Sequence, residues 1–319
     1  MRQKGEKMKI VEAAEVRERL TMPVCIELMR EAFCLLETGK AFQPIRSIAK
    51  LPHGEAFGFM PAYLGEEDFF GAKVVNAFPQ NMGTEYSSHN GYVILFESRH
   101  GQCVGLADAG AITQIRTGAV SGVATDLLAK KDSRSLGIIG AGAQGRSHLE
   151  AMLCVRPELK DIRVYDISRE AAKKYKTEME EKFGRPITIS DSVRDAVKDA
   201  DIVCTLTPSK APYLEADWIK PGAHINAVGT FSPVTREITS QLMARSRLYA
   251  DQIEALKKES GEYLIPLEEH LITEAHIKGS IGQLLLGTAV GRTGEEEVTL
   301  FDALGLAVED VVCGRFLVQ

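Results

Sequence analysis

A chain of 319 residues, 45% hydrophobic and 26% charged, has ordinary globular composition and is long enough for two domains with their own cores. Its formal net charge of −6 gives no electrostatic basis for binding nucleic acid or an anionic membrane, and no apolar run is long enough to span a bilayer. Cys25, Cys34, Cys103, Cys154, Cys204 and Cys313 are scattered, a spacing that fits reduced thiols in a soluble cytoplasmic protein better than a disulfide frame or a zinc site. The first nine residues are polar and basic with no apolar stretch after them, so no signal peptide is expected.

Residues 23–36 place Ile26, Met29, Phe33 and Leu36 at helical spacing and stop at Gly39, which predicts a helix. Strand-like runs follow at 45–51, 56–60, 69–78 and 92–97, with Gly and Pro between them, and from 109 to 129 the period turns helical. The middle of the chain then alternates. Strands are expected at 136–139, 162–165, 187–189, 202–206, 224–228 and 248–250, and helices at 145–154, 169–183, 192–198 and 238–245. Such alternation predicts a Rossmann-type, doubly wound parallel sheet covered on both faces. Residues 298–312 read as a strand or turn feeding a final helix. The expected division is a dinucleotide-binding domain over 117–297 and a smaller α+β domain from 1–116 with 298–319.

The apolar run 135–139 leads into Gly140, Ala141, Gly142, Ala143, Gln144 and Gly145. In a strand–turn–helix context this is a phosphate cradle. The first glycine makes the turn, the second admits the pyrophosphate, and the third lets helix and strand approach. The next strand ends in Asp166, at the spacing of a ribose-binding acid whose charge repels a 2′-phosphate, so NAD is favoured over NADP. Arg169 lies close enough to soften that preference. The alternative for Asp166 is a solvated carboxylate at a strand end.

Three cations stand alone among apolar neighbours: Arg46, Lys73 and Arg116. Lys73 interrupts a nearly apolar strand, where it needs either a partner, a ligand or an edge position from which to reach water. Arg116 falls on the helical stripe of Ile112, Ala119, Val120 and Val123, which makes it a buried ion pair or an anion clamp. Each alone is more simply structural, but together they favour a shared anion such as a substrate carboxylate. Burial would lower the Lys73 pKa, as a catalytic amine requires. His89 stands near a strand start, where a lone histidine is more often a surface or hydrogen-bonded group. Asp217, Glu237 and the acids at 295–297 read as solvated, and no cluster has the spacing of a metal site or of a hydrolase nucleophile.

The same residues carry a resemblance. Pro44-x-Arg46, Lys73-x-x-Asn76, Ile112-Thr-x-x-Arg116-Thr-x-Ala119, the glycine loop, 224–229 (HINAVG) and the segment from Thr299 to Asp310 occur in the order found in the ornithine cyclodeaminase/mu-crystallin family, which the chain resembles over most of its length. The resemblance implies that Arg46, Lys73 and Arg116 hold a substrate α-carboxylate, with Lys73 also moving a proton. It implies that Ala143 and Gln144 meet the pyrophosphate and Asp166 the ribose. Ser88, Thr207, Val228 and Gly229 would line the nicotinamide half, with Arg116 also near the cofactor, and Gly305 and Leu306 would close the site. It further implies a homodimer joined through the smaller, substrate-binding domain.

Cyclodeaminases of that family carry an aspartate where this chain has Phe231, which cannot exchange protons with substrate amino groups. Ser232 is a poor substitute, and Glu55 and Asp302 remain as acids to fill the role. A reductase has no such need, and the Phe231 ring could pack against an apolar substrate ring. The expectation is therefore an NAD(H)-dependent oxidoreductase reducing a cyclic ketimine such as Δ1-pyrroline-2-carboxylate, with a small amino or imino acid as substrate. The alternatives are ornithine cyclodeamination, dehydrogenation of a linear amino acid such as alanine, and ligand binding in the manner of mu-crystallin.

Overall fold

The computed structural model describes residues 8–65, 68–81, 84–86 and 89–319, and divides the chain into one unit of Met1–Arg116 with Gly305–Gln319 and another of Thr117–Leu304. The first unit opens with β1 (Lys9–Val11), α1 (Ala13–Arg19) and α2 (Met22–Glu37). Helix α2 buries Cys25, Ile26, Met29 and Phe33 on one face, and Gly39 turns the chain just past its end with φ 71°. Five strands follow: β2 (Ser47–Lys50), β3 (Ala56–Tyr63), β4 (Phe69–Ala77), β5 (His89–Glu97) and β6 (Cys103–Asp108). They form a sheet in the order β1-β6-β5-β4-β3-β2, antiparallel except where β1 runs parallel to β6. The sequence did not signal β1 or β6. The interior of β6 is interrupted by Gly105, which is needed because a Cβ there would lie 2.7 Å from the Lys9 carbonyl oxygen across the pairing.

Helix α3 (Ala109–Leu128) comes next, and the division between the units falls inside it. The second unit then runs β7 (Ser135–Ile139), α4 (Ala143–Val155), β8 (Asp161–Tyr165), α5 (Arg169–Phe183), β9 (Ile187–Ile189), α6 (Val193–Val197), β10 (Ile202–Thr205), β11 (His224–Ala227), α7 (Ser240–Arg245), β12 (Arg247–Ala250), α8 (Ile253–Glu259), α9 (Gly261–Glu268), β13 (Ile277–Ser280), α10 (Ile281–Leu285) and β14 (Thr299–Asp302). Its eight strands are all parallel, in the order β13-β12-β14-β11-β10-β7-β8-β9. Strands β7, β10 and β11 are buried at every position, as parallel strands covered on both faces must be. The strand order reverses between β7 and β10, which marks the crevice where such sheets take ligands. Helix α5 keeps its expected bounds because both ends are written locally: Ser168 accepts the Ala171 N–H at the start, and Gly184 adopts the left-handed conformation at the end.

The boundary near the C-terminus differs from expectation. Strand β14 pairs with β11 and β12, and residues 298–304, expected in the smaller domain, belong to the unit of the parallel sheet. Only the final helix, α11 (Ala307–Val318), returns to the first unit, where it packs on α2 and across β3, β4, β5 and β6. Gly314 lets it approach closely, since a Cβ there would meet the Leu95 Cδ1 at 2.9 Å. Among the described residues no helix is long and apolar enough to cross a membrane.

Candidate active site

Within the first unit, β4 is an interior strand, paired to β3 at Met60↔Lys73 and to β5 at Lys73↔Val93. An edge position for Lys73 is thereby excluded, and the side chain is buried. Its Nζ lies 2.7 Å from Asp310 Oδ2 and donates to Thr113 Oγ1 at 3.5 Å. The other Asp310 oxygen accepts from Arg116 Nε at 3.2 Å, and Arg116 Nη1 donates to Glu309 Oε2 at 2.8 Å. Asp310 therefore bridges the two cations. Both acids sit in the first turn of α11, where the helix dipole favours negative charge. Arg46 joins the cluster by donating from Nη2 to the Gly305 carbonyl at 3.0 Å. Gly305 has φ 78°, and a Cβ there would meet Arg116 Nη1 at 2.7 Å, so that position takes no side chain.

The fold thus brings Arg46, Lys73, Arg116 and Gly305 together, with Leu306 buried beside them in sequence at the N-cap of α11. The sequence pointed to three cations and missed their two carboxylate partners. Burial pushes the Lys73 amine down to about 8, a fall that Asp310 opposes and Arg116 reinforces. Burial also opposes charge on Arg116, but Asp310 and Glu309 outweigh it and hold the guanidinium above its ordinary range.

In the second unit, the carboxyl end of β7 enters the glycine loop. Gly140 has φ 111° and donates its N–H to the Tyr165 carbonyl at 2.9 Å. A Cβ at Gly145 would lie 2.4 Å from the Gly140 carbonyl oxygen, so only glycine allows α4 to start against the turn. At Gly142 a Cβ would meet nothing, and Gly142 and Ala143 are exposed. The N-terminus of α4 therefore faces open space, with Gln144 half-buried behind it, and fits a pyrophosphate. Asp166 is fixed beside the loop: its Oδ2 accepts the Ala141 N–H at 2.8 Å and its Oδ1 the Ser168 N–H at 2.8 Å. Arg169 turns instead to Asp191, 2.7 Å away.

A model of the ornithine cyclodeaminase/mu-crystallin family matches residues 6–319. The chain belongs to this family. Among family relatives, the Δ1-pyrroline-2-carboxylate reductase of Bacillus cereus is 31% identical over 314 residues, which cover 98% of this chain and 96% of the relative. The ketimine reductase mu-crystallin of Mus musculus is 35% identical over 280 residues, covering 88% of this chain and 85% of the relative. Among solved structures, Thermococcus litoralis Δ1-pyrroline-2-carboxylate reductase in complex with NADH and L-proline aligns with a TM-score of 0.94 at 36% identity, over 98% of this chain and 96% of that one. An archaeal alanine dehydrogenase dimer with bound NAD aligns at 0.89 and 30% identity, over 98% and 95%.

For this family member, Thr207, Val228 and Gly229 follow the carboxyl ends of the neighbouring strands β10 and β11. Ser88 lies outside the described residues. Phe231 lies in the loop after β11 and is exposed. The two acids considered as replacements at its position are otherwise engaged. Glu55 is buried in the first unit and accepts from Gln80 Nε2 at 2.9 Å and the His53 N–H at 3.0 Å. Asp302 is buried in the second and accepts from Ser260 Oγ at 2.5 Å. Glu237 corrects the sequence expectation outright. It is not solvated but fully buried, accepting the Gly229 N–H from its own loop and the Thr207 N–H and Tyr213 hydroxyl from the loop after β10. Among the described residues no group of His, Cys, Asp and Glu could hold a metal ion.

Proposed function

We propose that this chain is an NADH-dependent reductase of cyclic ketimine carboxylates, with Δ1-pyrroline-2-carboxylate as the representative substrate. The observation that carries this is the buried pairing of Lys73 and Arg116 with Asp310 and Glu309, with the half-buried Arg46 held beside them on the Gly305 carbonyl, which gathers three cationic donors for one α-carboxylate. The B. cereus and mouse relatives above are named as reductases of this kind, and the T. litoralis reductase structure holds NADH, the reductant such a reaction consumes, and L-proline, the product it forms.

In the proposed reaction, Arg46 and Arg116 anchor the carboxylate and fix the face of the C=N bond. Ala143 and Gln144 would hold the pyrophosphate and Asp166 the adenosine ribose, with Thr207, Val228, Gly229 and Ser88 on the nicotinamide side; NADH supplies the hydride that the imine carbon takes up. Lys73 gives a proton to the imine nitrogen. With its amine lowered to about 8, Lys73 is still protonated at neutral pH yet is a better acid than an ordinary lysine. Asp310 stabilises the charged form before transfer and orients the Nζ. Phe231 places no titratable group where a cyclodeaminase has its acid, which favours reduction over ammonia loss.

The homodimer and the cytoplasmic location belong to the same proposal. Phe57 and Phe59 stand exposed on the face of β3 opposite the buried Gly58, Met60 and Ala62, an apolar pair suited to a second copy of the chain. All six cysteines are free, including Cys25 and Cys313 with their sulfurs 3.8 Å apart, as suits a reducing compartment. The test is direct. Purified protein should oxidise NADH only when the cyclic imine is added, with proline as product. Ammonia and proline from ornithine with catalytic NAD, and no imine-dependent NADH loss, would instead identify a cyclodeaminase.

A further inference from the structure

We infer that Glu237 is the positioning residue that joins the ends of β10 and β11 into one floor for the nicotinamide side of the cofactor site. The inference rests on the proposed function only in taking Thr207, Val228 and Gly229 as that side.

Glu237 lies in the loop between β11 and α7 and is fully buried. Its Oε1 accepts the Thr207 N–H at 2.7 Å, the Thr207 hydroxyl at 2.7 Å and the Tyr213 hydroxyl at 2.6 Å. Its Oε2 accepts the Gly229 N–H at 2.9 Å. Thr207 follows β10 and Gly229 follows β11, so one carboxylate ties together the carboxyl ends of two adjacent parallel strands. Those ends are where a doubly wound sheet takes its ligand. The tie is close: a Cβ at Gly229 would lie 2.2 Å from the Thr207 carbonyl oxygen and 2.6 Å from Glu237 Oε2.

A second buried acid holds the first. Glu262 of α9 accepts the Glu237 N–H at 2.5 Å through Oε1 and the Ile238 N–H at 3.0 Å through Oε2. Gly261 seats α9 on the same loop, where a Cβ would meet the Thr235 carbonyl oxygen at 2.2 Å. Burial raises the pKa of both acids, so the pair is costly to keep in the core. An apolar side chain would fill the volume without that cost but would leave the donors of Thr207, Tyr213 and Gly229 facing no acceptor. Neither acid is used by the chemistry proposed above. What the pair does is fix two backbone segments against each other at the strand ends.

The test compares NADH with ADP-ribose, which keeps the pyrophosphate and ribose but lacks the nicotinamide. Glu237→Gln keeps the shape but turns one acceptor into a donor, so one of the two strand ends must come free. NADH should bind about tenfold more weakly, the scale of one charge-assisted hydrogen bond, while ADP-ribose affinity changes by less than about twofold. Tyr213→Phe removes a single donor and should shift NADH in the same direction by a smaller factor; it carries the test if Glu237→Gln does not fold. Val228→Tyr, at a partly exposed position, should also weaken NADH and spare ADP-ribose. If Val228→Tyr is selective but Glu237→Gln and Tyr213→Phe weaken both ligands equally, or neither, the role of Glu237 is overturned and the site stands. If Val228→Tyr leaves NADH as tight as before, the nicotinamide does not lie over these strand ends, and both fall.

Discussion

Replacing Lys73 with methionine separates chemistry from packing. Methionine keeps most of the volume but leaves Asp310 Oδ2 without its 2.7 Å cation. Breaking a buried pair typically costs about 3–5 kcal/mol. Arg116 still reaches the other Asp310 oxygen, so the loss should sit near the lower end, about 3 kcal/mol, within the roughly 5–15 kcal/mol of an ordinary fold. Lys73→Met should therefore remain folded. If Lys73 donates the proton to the imine nitrogen, turnover should fall by about 10²–10⁴, or roughly 3–5 kcal/mol of barrier. The control is the double variant Lys73→Met with Asp310→Asn. It removes the uncompensated charge and should recover about 1–2 kcal/mol in urea unfolding, with no recovery of imine-dependent NADH oxidation. A single variant retaining turnover within about tenfold of the parent, or a double variant regaining activity along with stability, would reduce Lys73 to a structural ion.

Four further outcomes follow from the geometry. In the parent protein, kcat/KM for imine reduction should decline as pH rises through about 8, where Lys73 loses its proton, and Lys73→Met should lack that limb. Asp166→Ala removes the carboxylate that accepts the Ala141 and Ser168 N–H groups. NADH should bind more weakly and the NADPH-to-NADH activity ratio should rise; an unchanged ratio would contradict the ribose role. Gly145→Ala forces a Cβ to within 2.4 Å of the Gly140 carbonyl oxygen, so a fluorescence titration should show NADH affinity lost, and an unchanged Kd would mean the loop is not the cradle. Asp302 is raised to about 7, by burial first and by the neighbouring charges of Asp251 and Glu237. The folded protein thus keeps a proton that the unfolded chain releases, so this group's stabilisation is complete at low pH and is lost as pH rises through about 7. Asp302→Asn should flatten that decline in urea midpoints between about pH 4 and 8; equal slopes in both proteins would count against it.

The parallel unit was legible because its signals are local. A glycine loop, an acid at the end of the next strand, and a helix with Ser168 at one end and Gly184 at the other are all written within short stretches of chain. The cations at 46, 73 and 116 were visible for the same reason, as charges among apolar neighbours. Their partners were not, since Arg116 and Asp310 are separated by 194 residues and nothing in the intervening sequence ties them. Glu237 was misjudged because it stands beside Arg236 in a polar loop, while its donors are the backbone of Thr207 and Gly229 and the hydroxyl of Tyr213. Strand β14 was assigned to the wrong unit because strand pairing decides membership, and its partners β11 and β12 lie far upstream. Helices α8 and α9 escaped notice in a segment with a proline at 266.

The central claim is hydride delivery to the carbon of a C=N bond in a cyclic imine carboxylate. Incubating the protein with Δ1-pyrroline-2-carboxylate and NADH deuterated at the transferable position of C4, then locating the label by mass spectrometry and NMR, tests it directly. One deuterium at Cα of the proline formed is the predicted result. Proline without label, or label retained by the cofactor with no proline formed, would contradict the account.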